Sequence, residues 1–188
     1  MAKDLDSNNV SVFNMPTEGG IVYRAPYGTT LPTAYTKPSE LDSAFKSLGD
    51  LGEDGFTEET SVDSTDFKNV GGKVVLSVVA GKTRTFEMHL IEVERPALQE
   101  FINGNATVDA EGKLEKVELS NDDAAESSLV IYEVLSSGTL RMIVLDRAKP
   151  TSFGSIEHSR GSLMDYDVTV TALDVDGKSG TVYYAKAA

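Results

Sequence analysis

Apolar and polar residues alternate along much of the second half of the chain. In residues 164–172, five apolar or aromatic side chains fall on one side of an extended segment, and Asp165 and Asp167 fall on the other. Residues 83–92 alternate in the same way. A period of two is typical of a strand with one buried face. Several such segments, separated by turn residues, predict an all-β fold, an antiparallel β-sandwich or barrel.

Two hairpins are predicted between these segments. Residues 107–119 are expected to form one hairpin with Glu111 and Gly112 at its tip. Residues 127–135 and 139–147 are expected to form the other. Both of its strands carry apolar residues on both faces, so we expect each to be covered on both sides.

The remaining strand pairings are predicted from sequence proximity. Valine-rich residues 71–80 and alternating residues 83–92 are expected to be separate strands joined by a turn at 81–82. The last apolar segment, 180–185, is expected to pair with the strand at 164–172.

Helices are predicted at two places. Pro96 suits the first turn of a short helix, and Gly104 suits the position just after its end. Residues 37–49 form the second candidate, in which Ser39 and Asp42 resemble a capping box and apolar residues lie on one stripe.

The first seventy residues contain fewer regular segments. We expect an N-terminal arm at 1–18, followed by one domain over 19–188 that includes a long loop at about 26–66. Such a long irregular segment is unusual inside a compact domain. It is typical of a segment that is functional, disordered or ordered by a neighbouring chain.

The chain is strongly acidic, with a formal net charge of −13. This charge argues against tight binding of DNA or RNA through phosphate contacts and against attraction to anionic membranes. Residues 47–67 combine glycines and carboxylates without any Lys or Arg, so this segment would repel phosphate. Solubility alone could explain the charge, as could a surface that must not adhere to nucleic acid.

The sequence also indicates a soluble protein that is made in a cytoplasm and does not insert into a membrane. There is no cysteine, which excludes disulfides and thiolate ligands. The N-terminus lacks the apolar core of a signal peptide, and the apolar runs are much shorter than the roughly 20 residues of a membrane span.

No convincing catalytic, cofactor or metal site is found. The AGKT sequence at 80–83 lacks the first glycine of a phosphate-binding loop, since Leu76 stands there. Two calcium-like spacings, at 4–15 and 174–178, each lack required ligands. His158 has serines nearby but no evident acid to orient it. We therefore predict that the protein is not an enzyme and needs no cofactor.

Several short motifs follow one another in a recognisable order: Ala25-Pro26, Gly28-Thr29, Leu31-Pro32, Leu48-Gly49, Glu53-Asp54-Gly55 and Gly71-Gly72. With the helix predicted near Pro96, this order resembles the major tail protein, or tail tube protein, family of long-tailed bacteriophages. The resemblance covers most of the chain.

The resemblance implies a phage tail tube fold and self-assembly. Proteins of this family form hexameric rings that stack into a hollow tube, through which viral DNA passes into the host cell. The implied partners are further copies of the chain and the tape-measure, tail terminator and distal tail proteins, with only transient, non-adhesive contact with DNA. The implied location is the virion tail, assembled in the host bacterial cytoplasm.

Two sets of site residues follow as hypotheses. Phe45, Leu48 and Phe56 would anchor the long N-terminal segment on an adjacent subunit or on the next ring. Asp165 and Asp167 would face the lumen, where carboxylates repel the DNA backbone.

Two other classes of protein stay open as alternatives. One is a monomeric β-sandwich binding module, which the absence of Trp disfavours because such sites often use aromatic platforms. The other is a different phage tail or joining component with a related fold.

Overall fold

A computed structural model describes residues 10–16 and 20–186, and most of them lie in antiparallel strands. The strands are β1 Phe13–Asn14, β2 Val22–Pro26, β3 Lys46–Gly49, β4 Leu51–Lys68, β5 Val74–Leu90, β6 Gly104–Val108, β7 Leu114–Leu119, β8 Ser127–Leu135, β9 Thr139–Phe153, β10 Tyr166–Ala172 and β11 Thr181–Lys186. One α-helix, α1 (Pro96–Asn103), and one 3-10 helix, Pro38–Glu40, are also described. The expected all-β class with antiparallel strands is confirmed.

Most strands belong to one large sheet with the order β3-β2-β8-β9-β10-β5-β4. One edge of β9 pairs with β8, and the opposite edge pairs with two strands, one after the other along its length. Its first part pairs with β11, and its second part, from Ala148, pairs with β10. β6 and β7 form a separate two-stranded sheet.

The hydrophobic core lies on both faces of the central strands β8 and β9. Leu129 and Ile131 of β8 belong to one buried cluster, which α1 covers. Val130 and Tyr132, which alternate with them, belong to a second cluster under the segment 27–45. The expectation that these strands are covered on both sides is therefore confirmed.

Both predicted hairpins and the first predicted helix are present. β6 pairs with β7 and β8 pairs with β9. Pro96 begins α1, and Gly104 follows its end with a φ of 82°, in the left-handed region that glycine enters without strain.

The second predicted helix, over 37–49, is wrong. Only Pro38–Glu40 form a 3-10 turn, and 46–49 form strand β3 against β2. The apolar stripe is not one helix face, because Phe45 and Leu48 enter different core clusters on opposite sides of the sheet.

The long loop expected at about 26–66 is also corrected. Residues 27–45 are largely irregular and cover the second cluster, but 46–49 and 51–68 are strands. Of the predicted N-terminal arm, only 10–16 are described, where β1 pairs with β8. The calcium-like spacing at 4–15 falls mostly outside the described residues.

Two predicted strand connections differ from the structure. Residues 74–90 form one continuous strand with a bulge near Gly81 instead of two strands joined by a turn. β11 pairs with β9, because both edges of β10 are already occupied by β5 and β9.

Candidate assembly interface

A long hairpin projects from the edge of the large sheet. β4 and β5 pair from Leu51 to Lys68, but β10 pairs with β5 only from Arg84 to Leu90. Beyond that point the two strands have only each other as partners among the described residues. We call residues 61–83 the outer hairpin. At about 3.3 Å per residue, it extends roughly 30 Å beyond the sheet.

The outer hairpin carries exposed apolar side chains on both faces. Val78 and Val79 are adjacent, so they point to opposite faces, and they are 45% and 58% exposed. Phe67 and Leu76 pair directly with each other and share the face of Val78. The exposed set is Val62, Phe67, Val70, Val74, Val75, Leu76, Val78 and Val79. A strand that is apolar on both faces is typical of one that is covered on both sides.

The outer hairpin also has two unpaired edges. β4 is the last strand of the sheet, and Val74–Thr83 of β5 have no partner on the side away from β4 within the described residues. Free edges present unpaired N–H and C=O groups that can pair with another chain.

Charge is segregated along this hairpin. Residues 47–67 hold seven acids and no base, whereas residues 67–86 hold four bases and no acid. The acids are Asp50, Glu53, Asp54, Glu58, Glu59, Asp63 and Asp66, and the bases are Lys68, Lys73, Lys82 and Arg84. The hairpin therefore starts acidic at the sheet, and two lysines flank its turn.

A cleft of about 550 Å³ lies at the start of this hairpin. Leu51 and Phe56 of β4 pair with Leu90 and Met88 of β5. Four residues separate the first two, but only one separates their partners. Residues 52–55 therefore bulge out of β4, and the cleft lies beside this bulge. We call it the base cleft. Its lining residues are Phe13, Met15, Ile21, Leu51, Gly52, Glu53, Asp54, Gly55, Phe56, Glu58, Glu133 and Arg141.

An ion-pair network forms one wall of the base cleft. Arg141 contacts the nearly buried Glu133 and also approaches Glu58 Oε2 at 3.5 Å. Glu58 Oε1 in turn accepts a hydrogen bond from Arg84 at 2.8 Å. Burial would lower the pKa of Arg141, but the hydrogen bond and charge of Glu133 raise it overall. The wall is therefore charged and internally paired.

Acids on the rim of the cleft have no such partners. Within the described ranges, neither Glu53 nor Asp54 lies within ion-pair distance of a Lys or Arg. Both are exposed. The rim is thus open to a cationic partner.

The three predicted anchor residues lie in different environments. Phe45 is 7% exposed and Leu48 is fully buried, so both side chains are used inside the subunit. An anchoring role on a neighbour for these two stays a prediction and would require both side chains to leave this core. Phe56 is half-buried and packs edge-to-face on Phe13, with ring centroids 6.2 Å apart. An inter-subunit role for Phe56 stays a prediction.

The two predicted lumen acids lie beside a histidine. Asp167 faces His89 across β10 and β5, with His89 Nδ1 at 2.5 Å from Asp167 Oδ1. Asp165 lies nearby. One atom from each of His89, Asp165 and Asp167 that could bind a metal ion lies within 4.8 Å of the other two. Two ligands of one metal ion would be about 3 Å or more apart. The two side chains are therefore in direct contact, and the contact is an ion pair only when His89 is protonated. Its geometry leaves the buried Asp167 Oδ1 without a hydrogen-bond partner among the described residues.

The outer face of β10 has the predicted alternation. Val168, Val170 and Ala172 are buried on one face of the strand. Asp167 and Thr169 are partly exposed on the opposite face, which we call the outer face. Whether this face borders a lumen stays a prediction.

Sequence reasoning missed the outer hairpin itself. The available signals were the valine-rich run at 74–79 and the change from acidic to basic residues at Phe67. The Gly81-Lys82 pair concealed the strand because it resembles a turn.

The chain is similar to known proteins. The family model for phage tail tube proteins matches residues 7–188. A similar solved structure is the cryo-EM structure of the anti-feeding prophage cap, a tube terminating cap, with a TM-score of 0.38 and 11% identity over 100% of each chain. No curated protein matches the chain. No helix in the described part of the chain has the length and apolarity needed to cross a membrane.

Proposed function

Because this chain belongs to the phage tail tube protein family, whose members are structural, non-enzymatic components of phage tails, we propose that it assembles into hexameric rings. The rings stack into the tail tube, and the tube conducts viral DNA into the host cell. Its partners are other copies of the chain and, at the ends and in the lumen of the tube, the terminator, distal tail and tape-measure proteins.

The observation that carries this proposal is the outer hairpin. A single subunit leaves eight large apolar residues of this hairpin exposed, seven on its two strands, whose outer edges are free, and Val70 in its turn. Large exposed apolar patches mark interaction sites. Other copies of the same chain can cover these faces and pair with these edges, so the subunit is complete only in an assembly.

The charge of the chain supports a conduit for DNA. A ring of six copies carries 6 × −13 = −78 formal charges. Acids on the lumen wall repel phosphates over a Debye length of about 8 Å at physiological salt. DNA can then slide through the tube without adhering to it.

The proposal is tested with purified protein and a variant without the outer hairpin. Thr60 and Arg84 are directly paired. Residues 61–83 can therefore be replaced by Asn-Gly, a favoured two-residue hairpin turn. We expect the wild type to form rings or tubes on concentration, and the variant to fold but stay monomeric. The measurements are size-exclusion chromatography, negative-stain electron microscopy and circular dichroism.

A matched control shortens the other exposed hairpin. Ala106 and Val117 are paired in β6 and β7, so residues 107–116 can be replaced by the same turn. This control should still assemble. The proposal is wrong if the wild type stays monomeric at high concentration, or if the variant without the outer hairpin assembles as well as the wild type.

A further inference from the structure

We propose that the tip of the outer hairpin of one subunit docks into the base cleft of a second copy of this chain. The tip comprises residues 67–79. The inference rests on the proposed self-assembly and identifies the two surfaces that meet in one of its contacts.

The two surfaces have matching apolar parts. Leu76 at the tip is 55% exposed and Phe67 is 52% exposed. In the cleft, Phe13 and Met15 are 39% and 50% exposed beside half-buried Phe56. Contact between them removes apolar area from water on both sides, which favours association.

The two surfaces have opposite charges. Lys68 and Lys73 flank the turn of the tip, and neither lies within ion-pair distance of an acid among the residues described. Glu53 and Asp54 on the cleft rim are likewise without a cationic partner. Among the described residues, each pair of charges therefore lacks a counter-charge in its own subunit, and the other surface offers one. Such complementarity fixes register and suppresses wrong pairings.

Geometry excludes docking within one subunit. Phe56 at the cleft and Lys68 at the tip are separated by one continuous strand, β4. Twelve residues of extended strand span about 40 Å. Pairing with β5 along this length keeps the hairpin extended, so the tip cannot return to its own cleft. If the tip occupies a base cleft, that cleft therefore belongs to another copy.

The resulting contact is head-to-tail. The tip and the cleft are different surfaces, so each subunit that docks its tip still offers an empty cleft. Contacts of this heterologous kind generate rings or open-ended stacks instead of closed dimers. This is the type of contact that a tube requires.

A charge-reversal experiment tests the docking. One variant reverses the tip (Lys68→Glu with Lys73→Glu), a second reverses the cleft rim (Glu53→Lys with Asp54→Lys), and a third combines all four changes. We expect each two-residue variant to raise the concentration needed for assembly by about tenfold or more, equivalent to about 1.4 kcal/mol. The combined variant restores opposite charges and should assemble at close to the wild-type concentration.

Lys113→Glu with Lys178→Glu is the matched control, because it changes the net charge as the tip reversal does, at exposed positions outside the tip and the cleft. It should assemble like the wild type. Circular dichroism checks that all variants fold.

Cross-linking gives a second readout that does not depend on charge. The chain has no cysteine, so single cysteines can be introduced without background. Chains with Leu76→Cys are mixed with size-tagged chains carrying Met15→Cys and treated with a short bis-maleimide. We expect a cross-linked heterodimer under assembly conditions and none when Leu119→Cys, at a position that is 82% exposed outside the cleft, replaces Met15→Cys.

The outcomes separate this inference from the proposed function. The docking is overturned if the wild type forms rings or tubes, both two-residue variants assemble as well as the wild type, and no Leu76–Met15 cross-link forms. The tail tube role would then remain intact. Wild-type protein that stays monomeric would overturn both.

Discussion

At the scale of single residues, burial distinguishes side chains that stabilise the subunit from those available to a second subunit. Leu48 lies in the core cluster under α1, whereas Phe56, eight residues later, is only half-buried at the edge of the base cleft. Both residues are apolar and both lie in the glycine-rich acidic segment. Their roles should therefore separate in a substitution experiment.

We expect Leu48→Ala to destabilise the folded subunit by about 2–5 kcal/mol, because it leaves a cavity in a closed core. Phe56→Ala should cost less stability but weaken assembly, because its ring forms part of the cleft surface. Thermal unfolding of the monomer and the concentration needed for assembly are the two measurements. Equal effects of both substitutions on both measurements would contradict this division.

The error over Phe45 and Leu48 has a physical reason. Apolar residues three or four apart fit one face of a helix, so the sequence favoured a helix there. In the structure an extended chain places the two side chains in clusters on opposite sides of the sheet. The side of the sheet on which each residue packs depends on strands more than seventy residues away, such as β8. The local spacing of apolar residues does not contain that information.

At the scale of elements, local signals predicted those parts whose partners are close in sequence. Proline at the start and glycine after the end identified α1, and the hairpins β6–β7 and β8–β9 were identified from their turns. The pairing of β11 with β9 was missed because it depends on β10 being occupied on both edges. The length of β5 was missed because pairing with β4 carries the strand through Gly81, which resembles a turn in isolation.

The outer face of β10, together with Asp165 just before the strand, provides a prediction about the conduit. In phage carrying Asp165→Lys with Thr169→Lys, we expect tubes to assemble normally but DNA ejection to slow, since lysines attract the phosphate backbone. Asp167 is left unchanged because its carboxylate contacts His89.

Electron microscopy of the tails and the rate of DNA release from particles are the measurements for this variant. Glu111→Lys with Thr107→Lys on the β6–β7 hairpin is the control, because it makes the same change in charge elsewhere. Ejection at the wild-type rate in the β10 variant would show that this face does not border the DNA.

At the scale of the whole molecule, the subunit combines a well-packed body with an outer hairpin that has no core of its own. Segments with few buried apolar contacts open at low free-energy cost. The body should therefore resist hydrogen exchange in the monomer, while the outer hairpin should not.

We expect hydrogen exchange at residues 61–83 to be fast in the monomer and strongly slowed in assembled tubes. Exchange in β8 should be slow in both states, because that strand is central and buried, and it serves as the internal reference. Mass spectrometry of peptic fragments provides the measurement. Similar protection of 61–83 in both states would argue against burial of this segment on assembly.

The pairing of one edge of β9 with two different strands has a mechanical consequence. Its first part is bonded to β11 and its second part to β10, while β8 runs along most of its other side. A tensile load that enters the subunit through β11 and leaves through β10 is therefore transmitted along the covalent backbone of β9. Extension under such a load requires the β11–β9 or β10–β9 ladder to shear as a unit, with its hydrogen bonds loaded together. The subunit is thus stiff along this strand.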